Sequence, residues 1–191
     1  MAAIAGDADN AEVPDRYTAI ANGFSARVDA CNDQSWSRPT PCTEWTTRDI
    51  LEHVVGVHRR VLALLHGRTA ATLGPDDDPV AAWRDATSTL QAALRDPAEA
   101  TRTLATPFGE MSFEYLVSHM ICSDSLVHTW DLARATGQDE HLDSHAVEVA
   151  WSWMESAGDR LRASGDFGPP ISPPPGADTQ TRLLCFLGRD A

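Results

Sequence analysis

The sequence predicts an all-α protein, a helical bundle with little strand. Apolar residues recur every three or four positions along several long segments, which is the period of an amphipathic helix. Signals for helix starts and stops flank these segments. The composition, with 42% hydrophobic and 23% charged residues in a chain of 191, is typical of one soluble globular domain.

The first two helices have the clearest signals. Residues 14–32 form the first, and their apolar positions are spaced by three, four and four. The second begins at Thr46, whose side chain can form a capping box with Asp49. An apolar stripe runs along this second helix. We expect His53 to lie on that stripe and His58, turned by about 140°, to face solvent.

Three further helices are predicted at about 80–94, 112–136 and 143–163. The third of the five carries Trp83 among its apolar residues, and Gly137 provides a stop for the fourth. Between them, residues 101–111 mix β-type residues with a Pro-Phe-Gly turn, which predicts an extended segment or a small hairpin.

The two ends of the chain differ from the helical region. Residues 1–12 are small and acidic, which predicts disorder, so residues 13–191 are expected to form a single domain. The tail is Pro-rich and ends in a short apolar run, 183–187, that we expect to pack back on the body.

Charge and hydropathy exclude several classes of function. The net charge of −13 argues against nucleic-acid binding, which requires cations to neutralise phosphates. No apolar run approaches the roughly 18–20 residues of a membrane span, and the acidic N-terminus lacks the features of a signal peptide. We therefore expect a cytoplasmic protein. All 15 basic residues are arginine, so lysine Schiff-base chemistry is excluded.

Three side chains on two predicted helices suggest a metal site. Asp124 and His128 are four residues apart and project from one face of the fourth helix, while His53 lies on the apolar stripe of the second. Two imidazoles and a carboxylate buried together need a compensating charge, which Zn²⁺, Ni²⁺ or Fe²⁺ would provide. Three protein ligands with an open position are typical of catalytic zinc. The alternative is a pair of buried, hydrogen-bonded histidines without metal.

Asp131 is a second candidate carboxylate. Three residues after His128, it could orient that imidazole as a hydrogen-bond acceptor or replace Asp124 as the ligand. His119 lies nine residues before His128, about 180° around the helix, and is not expected to join the site.

Other residues are candidates for the surroundings of this site. Cys42 precedes the start of the second helix, where the helix dipole can activate a thiol; the alternative is a packed loop residue. Trp36, Trp45 and Trp130 could form walls of a substrate pocket or belong to the core. Arg84 could bind a substrate carboxylate.

Three segments resemble the actinobacterial metal-binding branch of the DinB/YfiT-like superfamily: PTPCTEWTTRDILEHVVG, LVHTWDLARATGQ and the closing LLCFLGRD. This superfamily includes mycothiol-dependent maleylpyruvate isomerase and thiol S-transferases. The resemblance spans residues 15–190 and implies a four-helix bundle with a long crossover and a metal between helices. It implies His53 and His128 as metal ligands. Asp124 occupies the third ligand position, where the family commonly has His or Glu.

The resemblance also carries expectations about function. Aspartate is one methylene shorter than glutamate, so the helices approach more closely here, a water fills the gap, or the site is weaker. The chain has no room for the isomerase's second domain, which favours a mycothiol S-transferase acting on an electrophile. The alternatives are a non-catalytic metal-binding protein and a mycothiol-dependent isomerase of small unsaturated acids. Relatives are commonly homodimers.

Overall fold

Helices account for most of the computed structural model, which describes residues 13–74, 76–107, 109–163 and 168–191, excepting the side chains of 159–163. The predicted disorder of residues 1–12 lies outside this range. No helix in the described ranges is long and apolar enough to cross a bilayer. The elements in chain order are α1 (Val13–Asp29), α2 (Thr47–Leu65), α3 (Pro79–Arg95), the short α4 (Pro97–Ala100), β1 (Thr103–Thr106), β2 (Gly109–Ser112), α5 (Phe113–Leu116), a π-helical turn (Val117–Ile121), α6 (Cys122–Thr136), α7 (Ser144–Ala163) and α8 (Thr179–Phe186).

The helices α1, α2, α3 and α6 surround the core. Helix α1 packs mainly against α3 and α6, and α2 packs mainly against the same two helices. Helix α7 packs against α6, and α8 packs against α7. As predicted, the apolar run near the C-terminus is buried. The largest side chains with almost no exposure are Trp83, Trp130, Tyr17, Phe24, Phe113, Ile50, Leu51, Leu90, Ile121, Leu132, Leu183 and Leu184.

Two local predictions are confirmed. Thr46 and Asp49 form the capping box at the start of α2: the Thr46 backbone N–H donates to Asp49 Oδ2 at 2.7 Å, and the Thr46 hydroxyl accepts from the Asp49 backbone. The segment predicted as extended forms the antiparallel hairpin of β1 and β2, in which Thr103 pairs with Ser112. The mostly helical prediction therefore holds, with this small sheet as the exception.

The helix predicted over 112–136 is interrupted by the π-helical turn. Helix α5, the π turn and α6 follow one another without a loop, and the turn ends just before Cys122. Such a turn inserts a residue into the helical repeat and changes which residues share a face across it. Asp124 and His128 both lie after the turn in regular α-helix, so their predicted shared face is preserved.

The prediction that His58 faces solvent is wrong, because α2 is packed on both sides. His58 is completely buried. Its ring lies against Tyr17 and Trp83 at centroid distances of 5.8 and 5.0 Å. Its Nδ1 lies 2.8 Å from the Val54 carbonyl. Because a carbonyl oxygen can only accept a hydrogen bond, Nδ1 carries the proton and donates it. Burial lowers the pKa of His58 from 6.5 to about 4, and the imidazole is neutral at pH 7.

This burial makes the stability of the protein dependent on pH. The unfolded chain protonates His58 near pH 6.5, whereas the folded protein resists protonation until about pH 4. Stability is therefore lost as the pH falls through this window. A shift of this size corresponds to about 3 kcal/mol. We expect the free energy of unfolding, measured with urea, to fall between pH 7 and pH 4 by about 3 kcal/mol less in His58→Phe than in wild type. An equal fall in both proteins would contradict the lowered pKa of His58.

Candidate metal centre

Helices α2 and α6 pack side by side and bring the three predicted ligands together. Asp124 Oδ1 lies 3.1 Å from His53 Nε2 and 3.6 Å from His128 Nε2. The ligand atoms of all three residues fall within 4.8 Å of one another, and the two imidazole centroids are 5.0 Å apart. The shorter aspartate side chain therefore reaches both imidazoles without an intervening group.

Asp124 has an oxygen that no described group satisfies. Its Oδ1 lies beside both imidazoles, but its buried Oδ2 has no hydrogen-bond partner. Burial opposes ionisation, yet the charge of His128 and the hydrogen bond from His53 outweigh it and lower the pKa of Asp124. The side chain is half-buried, but a buried oxygen without a partner costs free energy unless a cation or a donor fills the position.

This donor set fits a divalent metal. One carboxylate and two imidazoles are ligands of catalytic zinc and are shared by other first-row metals. A tetrahedral site with bonds of about 2.0–2.1 Å separates its ligand atoms by roughly 3.3 Å. The separations of 3.1 and 3.6 Å lie on either side of that value. Two of the three ligand separations thus match a metal site, and the third lies within 4.8 Å, so His53, Asp124 and His128 could hold a metal.

Asp131 lies on the opposite side of the His128 ring from Asp124. Its Oδ2 is 2.9 Å from His128 Nδ1, and the residue is completely buried. Burial opposes ionisation, but hydrogen bonds from His128 and Arg189 outweigh it and lower the pKa of Asp131 to about 2. Of its two predicted roles, this geometry favours the acceptor that orients His128.

The two carboxylates act together on His128. Burial disfavours its charged form, but the charge of Asp124 and the hydrogen bond to Asp131 outweigh burial and raise the pKa of His128 to about 10. Without metal at neutral pH, the imidazolium donates from Nδ1 to Asp131 and from Nε2 towards Asp124. With the proton kept on Nδ1, Nε2 is the atom able to bind a metal.

Cys42, His128 and Asp131 form a second group of close ligand atoms. Cys42 Sγ donates to Asp131 Oδ2 at 3.3 Å. However, Arg189 Nη2 lies 2.9 Å from the same oxygen and 3.4 Å from the sulfur. Because a guanidinium already supplies the positive charge, this group fits a metal less well than the first. A reactive role for Cys42 stays a prediction.

The loop before α2 brings Cys42 and Trp45 to the site. Trp45 N–H donates to the Cys42 carbonyl at 3.0 Å, and Thr40 N–H donates to the Trp45 carbonyl at 3.1 Å. This tight turn holds Glu44 at φ 67°, a left-handed conformation that is strained for a side chain of this size. Trp45 consequently packs on both imidazoles, with centroids 4.8 Å from His53 and 5.9 Å from His128.

A cavity of about 830 Å³ opens beside the three ligands. Much of its wall is apolar, and its described cations are Arg60 and Arg189. Its lining residues include Cys42, Trp45, His53, Val57, Arg60, Val61, Leu64, Leu116, Met120, Asp124, Val127, His128, Trp153, Met154, Leu187, Gly188 and Arg189.

Some predicted pocket residues lie elsewhere. Trp45 is a wall of the cavity, but Trp36 and Trp130 are not among its described lining residues, and Trp130 belongs to the core. Arg84 is an exposed residue paired with Asp29 at 2.8 Å, so its predicted role in the pocket is wrong.

The cations of the cavity were missed by the sequence analysis. Arg60 follows His53 by seven residues, about two helical turns on the same face, and this spacing could have indicated it. Arg189 follows the last helix, and no local pattern relates it to His128.

Comparisons with known proteins identify relatives of this chain. Residues 17–133 match the family described as the mycothiol maleylpyruvate isomerase N-terminal domain. Two proteins of Mycobacterium tuberculosis, from strains CDC 1551 and H37Rv, are each 36% identical over 177 residues, covering 88% of this chain and 92% of theirs. Both are described as uncharacterized. No solved structure matches significantly.

The buried ion pair of Asp131 should contribute strongly to stability. In Asp131→Asn, Arg189 and His128 lose the carboxylate that compensates their charge, at an expected cost of about 3–5 kcal/mol in the free energy of unfolding. Urea denaturation of chelator-treated protein at pH 7 measures this loss. Asp139→Asn is the control, because Asp139 pairs with His141 on the surface at 2.7 Å and should change stability little. Equal effects of both substitutions would contradict this account of the site.

Proposed function

The chain belongs to the mycothiol maleylpyruvate isomerase N-terminal domain family, within the DinB-like superfamily, and we propose that it is a metal-dependent thiol S-transferase. Its thiol substrate is mycothiol, and its second substrate is an electrophile. One observation carries the proposal: two imidazoles and a carboxylate converge on the wall of a cavity of about 830 Å³, a volume within the range of small-molecule sites.

His53, Asp124 and His128 hold the metal in this proposal. Zn²⁺ suits the donor set, and Ni²⁺ or Fe²⁺ are alternatives. A bound divalent cation supplies positive charge that favours the thiolate form of a thiol at neutral pH. The buried Asp124 Oδ2 supports this assignment, because it is an acceptor beside both imidazoles to which no described group donates.

The surrounding residues orient the site and restrict water. Asp131 accepts from His128 Nδ1 at 2.9 Å and thereby keeps Nε2 directed at the centre. Trp45 covers one side of both imidazoles. Val57, Met120 and Val127 contribute apolar surface to the cavity, against which the electrophile would pack. The transfer forms a bond between the thiol sulfur and an electrophilic carbon, with release of the leaving group and of the thiol proton.

The cavity supports an S-transferase over an isomerase of small unsaturated acids. The two carboxylates of a small diacid are bound most specifically by unpaired arginines inside the pocket. Of the two arginines among the described lining residues, Arg189 is already paired with Asp131, and Arg60 is exposed. The predominantly apolar wall suits a larger, less charged electrophile.

We also infer that α1, α2, α3 and α6 are the four helices of the DinB-like bundle. Each packs mainly against two others, and α1 and α2 pack against the same pair of neighbours. This arrangement puts α1 opposite α2 and α3 opposite α6, so the connection between α1 and α2, residues 30–46, and the connection between α3 and α6 both cross the bundle diagonally.

Metal binding should depend on the three proposed ligands. We expect one Zn²⁺ per chain by isothermal titration of chelator-treated protein. Because removing a ligand should exceed the 10–100-fold losses typical of outer hydrogen-bond partners, His53→Ala and Asp124→Ala should each weaken binding by about 100-fold or more. His141→Ala is the control, since His141 is exposed and contacts a different carboxylate. Similar affinities in all four proteins would rule out this site.

Catalysis is tested with mycothiol and monochlorobimane, whose conjugate is fluorescent. Zinc-loaded wild type should form the conjugate well above the uncatalysed rate, and His53→Ala should fall to that rate. His141→Ala should retain wild-type activity. Equal turnover in wild type and His53→Ala would eliminate the transferase proposal. Zinc binding without turnover would instead support a non-catalytic metal-binding protein.

A further inference from the structure

Arg189 reaches the candidate metal centre from the C-terminal segment, which lies outside the family-matched residues 17–133 in the sequence. It follows α8 through a left-handed turn at Gly188, where φ is 82°. Gly188 N–H donates to the Cys185 carbonyl at 3.0 Å, and Arg189 N–H donates to the Leu184 carbonyl at 2.9 Å. This pairing is the Schellman ending of a helix, which favours glycine.

Gly188 is also required by close packing. A Cβ at this position would lie 3.0 Å from the backbone oxygen of Pro169, closer than ordinary van der Waals contact. The left-handed turn and this close approach together return the chain towards α6. As a result, the Arg189 side chain lies along the buried edge of Asp131.

Each nitrogen of the Arg189 guanidinium has a hydrogen-bond acceptor. Nε donates to Asp131 Oδ1 at 3.2 Å, and Nη2 donates to Asp131 Oδ2 at 2.9 Å. Nη1 donates to the Leu187 carbonyl at 3.0 Å. The Arg189 side chain is 12% exposed and that of Asp131 is 0% exposed, so this two-point pair is shielded from water and has a fixed geometry.

Asp131 Oδ2 accepts from Arg189 and from His128 Nδ1, each at 2.9 Å. The guanidinium therefore fixes the position of the oxygen that holds the His128 ring. On the other side of that ring, Nε2 faces Asp124 at 3.6 Å. A continuous series of contacts thus runs from the C-terminal segment to the candidate metal centre.

We propose that Arg189 is a positioning residue of the metal centre. Arg189 donates to both oxygens of Asp131. It thereby fixes the orientation of the His128 ring and keeps the Nδ1 proton on the side away from the metal. The inference rests on the proposed metal function of His53, Asp124 and His128. The C-terminal segment, which lies outside the family-matched residues 17–133, thereby contributes to metal affinity through Asp131 and His128.

A purely structural role for Arg189 would be to attach the C-terminal segment to the body. Arg134 on α6 provides a matched control for that role. The Nη2 atom of Arg134 donates at 2.8 Å to the carbonyl of Asp190, the residue after Arg189. The Arg134 side chain is 43% exposed. Arg134→Gln therefore removes an attachment of the same segment and leaves the Asp131 pair in place.

The experiment compares wild type, Arg189→Lys, Arg189→Gln and Arg134→Gln in the full-length chain. Lysine keeps the charge but cannot make the two-point contact, so Arg189→Lys stays informative if Arg189→Gln unfolds. Zn²⁺ affinity is measured by competition with a chromophoric chelator at pH 7. The His128 Nδ1 proton is followed by ¹⁵N-edited NMR, and urea unfolding of the metal-free proteins is measured in parallel.

Loss of the hydrogen-bond partner of a metal-binding histidine, here Asp131, typically weakens metal binding about 10–100-fold. Because Arg189 acts through Asp131, we expect Arg189→Lys to weaken Zn²⁺ binding about 10-fold and Arg189→Gln by up to about 100-fold. Both should speed solvent exchange of the His128 Nδ1 proton. Arg134→Gln should retain the wild-type affinity. The inference is overturned if the Arg189 variants bind zinc as wild type does, or if Arg134→Gln weakens binding equally. Failure of wild type itself to bind zinc would instead refute the proposed metal function.

Discussion

Compensation of buried negative charge is the constraint on which this site depends. Helix α6 carries two aspartates on either side of His128: Asp131 is completely buried, and Asp124 is half-buried at the cavity wall. Asp131 is fully compensated, because Arg189 and His128 both donate to it. Asp124 keeps one buried oxygen without a partner. Since a buried acceptor without a donor is costly, this difference between the two carboxylates is the reason that the proposed metal site is assigned to Asp124 and not to Asp131.

Features that depend on helical periodicity and local capping were predictable from the sequence. The four-residue spacing of Asp124 and His128 puts them on one face, and the π-helical turn before Cys122 leaves that face intact. His53 was identified because it lies on the apolar stripe of a helix whose start, at Thr46, carries a capping box. These signals extend over a few residues, so they do not depend on how the helices pack.

Features that depend on packing between distant segments were not predictable. His58 was expected in solvent because periodicity describes one helix, whereas α2 is buried between α3 and α6. The contact of Arg189 with Asp131 joins residues 58 positions apart, and only the turn at Gly188 brings them together. Arg84 lay on a plausible helix but pairs with Asp29 outside the cavity. In each case the neighbour of the side chain comes from another element of the fold.

The central claim is that His53, Asp124 and His128 bind one divalent metal ion, and diffraction at the zinc absorption edge tests it most directly. Crystals grown with zinc should give an anomalous peak about 2.0–2.2 Å from both Nε2 atoms and from an Asp124 oxygen. A peak on Cys42 and Asp131 instead, or no peak between the two imidazoles, would contradict the claim.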